Sequence, residues 1–280
     1  MLAVHLRLYW RVLKEAAFAF SADRAGTMGA AIAFYTIFSL APLLVLIIAV
    51  AGIVWGDDAA RGAVDEQLQD IVGAESAGAV QALVQHAADI GTGLVAMALG
   101  LLTMMVAATT VFGQIQDALN VIWKVQPSSR SGAWSLLRTR LISLALIFCL
   151  GMLLLLSLVV NATLAGFSGT LNEMVPFMGT ILQVVNFLVS FAILTTLFAL
   201  VYRLLPDTPI GWRDVWLGGA VSALLFTIGR QLVSLYLGHT GAASAYGAAG
   251  SLIVVLLWVY YSAQIFLFGA EITRAYASLR

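Results

Sequence analysis

Six long apolar stretches run through this chain, at 28–55, 92–112, 140–163, 179–202, 214–237 and 249–270. At 1.5 Å of rise per residue, each can cross a hydrocarbon layer of about 30 Å. The segments between them sort the charge. Arg7, Arg11, Lys14 and Arg24 precede the first stretch, and Lys124, Arg130, Arg138 and Arg140 lie between the second and third. Arg203 and Arg213 separate the fourth from the fifth, and Arg274 and Arg280 follow the sixth. Twelve of the fourteen basic residues therefore fall on one side, which positive-inside orientation assigns to the cytoplasm together with both termini. The expected fold is an all-α polytopic membrane protein of six transmembrane helices, a single membrane domain over 1–280.

Composition agrees. The chain is 61% hydrophobic and 10% charged, against about 25% charged in soluble domains. Nucleic acid is not expected as a partner, because the one basic cluster is the rim that orientation already explains. The single cysteine, Cys149, lies within the third stretch and leaves no intramolecular disulfide.

Residues 1–24 contain an amphipathic helix. Arg7, Arg11 and Lys14 recur at i, i+4 and i+7, while Leu2, Leu6, Tyr9, Leu13 and Ala17 mark another face with Trp10 beside it. Cations beside an aromatic and aliphatic face suit the inner headgroup layer. The same residues also serve as a plain orientation signal. The segment 57–91 is expected outside, in the periplasm, as an amphipathic helical hairpin. Val64, Leu68, Ile71 and Val72 keep a helical period, as do Val80, Leu83, Val84 and Ala87, with Asp65, Glu66 and Asp70 on a polar face.

Several residues stand out within the spans. Arg230 lies sixteen residues beyond Asp214, roughly 24 Å into the fifth span. A charge there must snorkel, pair or face water. It is a candidate for binding an anionic headgroup, with Gln183, Asn186, Tyr35 and Glu271 as further substrate-binding candidates. Arg230 and Glu271 are expected at opposite depths and unpaired. Gln183 and Asn186 serve equally as interhelical hydrogen-bonding groups. Pro42 breaks one backbone bond in the first span and is a candidate hinge. Gln114, Asp117 and Asn120 share one helical face at the inner end of the second span, either as an entry vestibule or as a solvated helix end. Mid-span Trp258, Tyr260 and Tyr261, with the small-residue faces around Gly218-Gly219, Ser222-Ala223 and Gly269-Ala270, read as packing. No catalytic set, metal site or cofactor motif is visible, and His5, His86 and His239 are dispersed.

Three stretches together resemble the YihY/BrkB family of bacterial inner-membrane proteins, once labelled ribonuclease BN. They are Ala30-Ala31-Ile32-Ala33-Phe34-Tyr35 running into Ser39-Leu40-Ala41-Pro42, Gly219-Ala220 with Gly229-Arg230 and Tyr236-Leu237, and Ala245-Tyr246-Gly247-Ala248 through Leu257-Trp258-Val259-Tyr260 to Gly269-Ala270-Glu271. The resemblance implies six helices in the bacterial cytoplasmic membrane and no settled biochemistry; that the chain is not an enzyme is expected from the missing catalytic constellations. The residues themselves set two expectations: Arg230, Pro42 and the polar residues within spans point to transport of an amphipathic, anionic lipid-type substrate among membrane lipids, and the acidic segment 57–91 to a non-transporting scaffold that recruits an envelope protein. A ribonuclease is disfavoured, since the chain lacks a histidine and carboxylate cluster.

Overall fold

A computed structural model describes residues 2–72, 77–78, 80–82, 84–85, 94–125, 141–142, 144–146, 148–149, 151–153, 178–240 and 250–279. The regular elements among them are all helices: α1 (Leu2–Ala22), α2 (Ala25–Trp55), α3 (Asp57–Val72), α4 (Leu94–Ile122), α5 (Met178–Leu204), α6 (Trp212–Thr240) and α7 (Gly250–Leu279). Four contain stretches long and apolar enough to cross a membrane: Ala25–Val45, Val184–Leu204, Trp212–Leu232 and Ile253–Leu279. Helix α4 covers the second expected span and runs on through Gln114, Asp117 and Asn120. The described positions between 141 and 153 are helical; the rest of the third span, 126–140 and 241–249 lie outside the described residues.

The helices pack pairwise, α2 on α4, α5 on α6, α6 on α7 and α2 on α7. One end of the bundle, here the lower end, gathers the α1–α2 turn, the ends of α4, α5 and α7 and the start of α6. Arg24, Lys124, Arg203, Arg213 and Arg274 therefore share it.

Glycines bring α6 and α7 together at this end. A methyl group on Gly218 would run into Thr273 Oγ1 and the Gly269 carbonyl oxygen, and one on Gly269 into Ser222 Oγ and Tyr202 Oη. The close approach makes room for a buried polar triad. The Tyr202 hydroxyl donates to the Phe266 carbonyl at 2.6 Å, so its one proton is spent and Ser222 Oγ, 2.7 Å away, donates to it. Helix α2 runs through Pro42 without interruption, and Ser39 Oγ donates to the Tyr35 carbonyl at 2.8 Å.

Helix α1 does not simply float at a surface. Val12 and Ala16 are buried against Ile272 and Ala275 of α7, with Leu8 and Tyr276 around them, and Phe20 meets Phe268 edge-on at 5.8 Å. The sequence pattern had marked a different face, through Tyr9, Leu13 and Ala17, and that face is exposed. Helix α3 and the helical positions of 77–85 turn Ala60, Val64, Leu68, Val80 and Val84 into the main core. Ala77 is buried on Trp258, beside Phe226 and Tyr261. Asp58, Glu66, Gln69 and Gln85 are left exposed.

Candidate functional site

The upper part of the α5–α6 pair is where the sequence outlier sits. Lower down, the two helices touch along matched stripes. Gly219 lies where a Cβ would be 2.9 Å from the Thr195 carbonyl oxygen and 3.2 Å from the Ala199 nitrogen. Ala223 is buried one turn above, and Phe226 wedges between Phe198 at 6.1 Å and Trp258 at 5.3 Å. Residues 219, 223, 226 and 230 fall at i, i+4, i+7 and i+11, a single stripe on α6. Arg230 is therefore on the packing stripe, yet it is exposed.

The facing stripe on α5 changes in the same way. Thr195 and Ala199 are buried, whereas Leu188 and Val184, seven and eleven residues before Thr195, are exposed. Above Phe226, then, both stripes carry exposed side chains, a guanidinium on α6 and aliphatic groups on α5. Arg230 makes no hydrogen bond or ion pair among the described residues. Its neighbour Gly229 is pinned, because a methyl there would collide with the Tyr261 ring.

The other sequence candidates are distributed elsewhere. Asn186 is near the level of Arg230 but half a turn around α5 from the Thr195 stripe, with Oδ1 buried and unpaired among the described residues. The side chain of Gln183 lies outside the described residues. Tyr35 is exposed on α2 and stacks edge-on with Phe34 at 5.6 Å.

Glu271 belongs to a second, charged site at the lower end. It is 1% exposed, and its carboxylate accepts no hydrogen bond among the described residues; Arg274 Nη1 lies 3.6 Å from it. Asp23, in the α1–α2 turn with its side chain 9% exposed, pairs with Lys124 and lies 3.5 Å from Arg274. This quartet ties α1, α2, α4 and α7 into one knot, and it does so at strained backbone. Arg24 and Lys124, beside or within the knot, are both left-handed, at φ 54° and 53°; each costs about 1–2 kcal/mol for a residue with a Cβ. Helix α4 ends with the Val125 N–H on the Asn120 carbonyl at 2.9 Å, a position where glycine is usual. Lysine stands there because its ammonium reaches Asp23.

The sequence-marked polar face of α4 is close by. Asn120 Nδ2 donates to Asp207 Oδ2 at 2.9 Å, and the Asp207 N–H returns a bond to Asn120 Oδ1 at 2.9 Å. Gln116, which periodicity did not mark, is buried and donates to the same carboxylate at 3.0 Å. Asp117, whose residue contacts solvent, has its pKa raised by burial first and by the nearby Asp207 charge second. The Arg203 guanidinium stacks 4.4 Å over Trp212 and donates to the Ile210 carbonyl. Asp23, Asp207 and Gln116 were not separable from ordinary loop and helix-end residues by sequence, because their partners are about 90 to 250 positions away. Among the described residues no His, Cys, Asp and Glu group could hold a metal ion.

Comparison with known proteins bears on the whole chain. The family described as Virulence factor BrkB matches residues 17–280. A "UPF0761 membrane protein" of Verminephrobacter eiseniae is 30% identical over 93% of this chain and 60% of its own length. One from Alcanivorax borkumensis is 34% identical over 63% of this chain and 40% of its own, and one from Azotobacter vinelandii 28% over 94% and 62%. The chain spans less than two thirds of the length of each of these relatives. No solved structure matches.

Proposed function

The chain belongs to the virulence factor BrkB family of membrane proteins, and from that premise we propose that it binds and moves an anionic, amphipathic lipid-type molecule in the bacterial inner membrane. The lower end, rich in cations, faces the cytoplasm in this reading, and the exposed upper part of the α5–α6 pair faces the outer half of the bilayer. One observation carries it: Arg230 lies on the stripe that packs α6 against α5, yet it is uncovered. A guanidinium offers a planar pair of donors to a phosphate or carboxylate, and Leu188 and Val184 opposite offer an apolar seat for a chain. An arginine that only snorkels has no need of a place on a packing stripe.

A scaffold acting through 57–91 is the competing reading. The described apolar residues Ala60, Val64, Leu68, Val80 and Val84 of that segment pack on the bundle, whereas Asp58, Glu66 and Gln69 are exposed and would meet a partner.

The test is reconstitution into vesicles carrying a fluorescent phosphatidylglycerol or phosphatidylcholine in one leaflet. Movement of the anionic lipid, lost in Arg230→Ala and partly kept in Arg230→Lys, supports the proposal. Equal rates for wild type and Arg230→Ala, with both folded, remove the headgroup role.

A further inference from the structure

The two faces of α1 have separate fates. Val12, Ala16 and Phe20 hold the helix to α7. The opposite side carries Arg7, Arg11 and Lys14 with Trp10 and Phe18 set among them, all exposed. Trp10 is 68% exposed and Phe18 78%, beside Leu13 and Tyr9. Large aromatics on the far side of an already docked helix gain nothing from the bundle, and leaving them in water forfeits roughly 2 kcal/mol each. A shallow hollow of about 740 Å³ opens along this side, lined among the described residues by Arg7, Tyr9, Trp10, Arg11 and Leu13. Three cations against a single Glu15 give the face a clear sign.

We propose that this face of α1 is a docking surface for anionic phospholipid headgroups of the leaflet at the lower end. Trp10, Leu13 and Phe18 enter the headgroup boundary, and Arg7, Arg11 and Lys14 engage phosphates. The aromatic and cationic residues interleave as a membrane boundary requires, whereas a protein partner would need a matching acidic surface. Arg7, Arg11 and Lys14 lie on α1, away from Arg230, so the surface does not rest on the role proposed for that residue. Because the reverse face packs on α7 within one turn of Glu271 and Arg274, lipid engagement bears on the charged knot.

The experiment uses the full chain with its one cysteine replaced (Cys149→Ala) and a fluorophore on Ala17→Cys, in nanodiscs carrying a lipid-borne quencher. Discs of phosphatidylcholine alone are compared with three-to-one mixtures with phosphatidylglycerol. Stronger quenching in the mixed discs, reversed by salt in the otherwise unaltered chain, is expected. Each cation near an anionic surface is worth on the order of fivefold, so Arg7→Gln, Arg11→Gln and Lys14→Gln together reduce the preference by on the order of 100-fold. All three side chains are exposed, and these replacements leave Val12 and Ala16 in place. Trp10→Ala with Phe18→Ala weakens quenching in both lipids. Equal quenching in the two disc types, insensitive to salt, overturns the proposal. So does absent quenching with label contact between copies, which would make a second chain the occupant.

Discussion

The two ends of the α5–α6–α7 assembly are built on opposite terms. At the lower end glycines admit backbone to backbone, and the space is filled by Tyr202, Ser222 and Thr273; a four-member charge knot ties in α1, α2 and α4 alongside. Toward the top of α5 and α6 the same stripes are exposed, and the Arg230 guanidinium is unpaired among the described residues. The Tyr202, Ser222 and Thr273 hydroxyls at the lower end are all paired, since a buried orphan costs free energy, whereas the Glu271 carboxylate accepts no hydrogen bond among the described residues. An uncovered stripe at the top costs packing and gains accessibility. The contrast teaches where this chain spends sequence on holding itself together and where it does not.

The largest effect should come from filling the glycine contact. Gly269→Leu is expected to lower stability by about 3 kcal/mol or to abolish folding, because a side chain there overlaps Ser222 and Tyr202. Gly26→Ala meets nothing within 4 Å and is the matched control, neutral or stabilising by about 0.5–1 kcal/mol. Thermal unfolding in detergent reads both; equal melting of the two variants would break the idea of a close-packed lower end.

Next comes the charge knot, where the two members of one pair should differ in size of effect. Arg274→Ala leaves two poorly solvated carboxylates to Lys124. A loss of about 2 kcal/mol is expected, below the ~3–5 kcal/mol of a fully buried pair because Arg274 is 30% exposed. Glu271→Gln removes a buried charge that accepts no hydrogen bond, and should fall within about 1 kcal/mol of the parent or above it. A Glu271→Gln variant less stable than Arg274→Ala would show that the carboxylate, not the cation, holds the knot.

Arg230→Leu should leave stability within about 0.5 kcal/mol, since nothing described pairs with the side chain. A clear loss of melting temperature in that variant would mean that Arg230 has a structural partner in the membrane.

The smallest effect concerns pH. The Asp117 pKa is raised from 3.8, so the folded state holds the proton more tightly than the unfolded one. Stability from this group is then greatest below the unfolded value and declines as pH rises from there through the folded pKa. Asp117→Asn should remove that decline and add under about 1 kcal/mol at neutral pH, because solvent screens the group. An Asp117→Asn variant that is less stable than its parent at neutral pH would contradict the cause assigned to the shift.

Much of this was readable from residue order, in particular places. The helices α2, α5, α6 and α7 follow from apolar length alone, and α3 from the spacing of Val64 and Leu68. The Gly218 and Gly269 contact was signalled by small residues at matching helical intervals. Arg230 was legible as an outlier, but its placement on an uncovered packing stripe was not. Asn186, grouped with it by spacing and depth, faces another way around α5. For α1, periodicity identified an amphipathic helix, while both of its broad faces carry enough apolar residues to dock. Only the presence of Ile272 and Ala275 decides that Val12 and Ala16 are the buried pair.

Hydropathy and charge order are local properties, and they suffice to make these segments helices suited to a membrane with their cations gathered at one end. Which stripe meets which neighbour depends on the register between helices far apart in the chain. Asp23 with Lys124, Gln116 with Asp207 and the exposure of Arg230 on its stripe therefore depend on the folded arrangement.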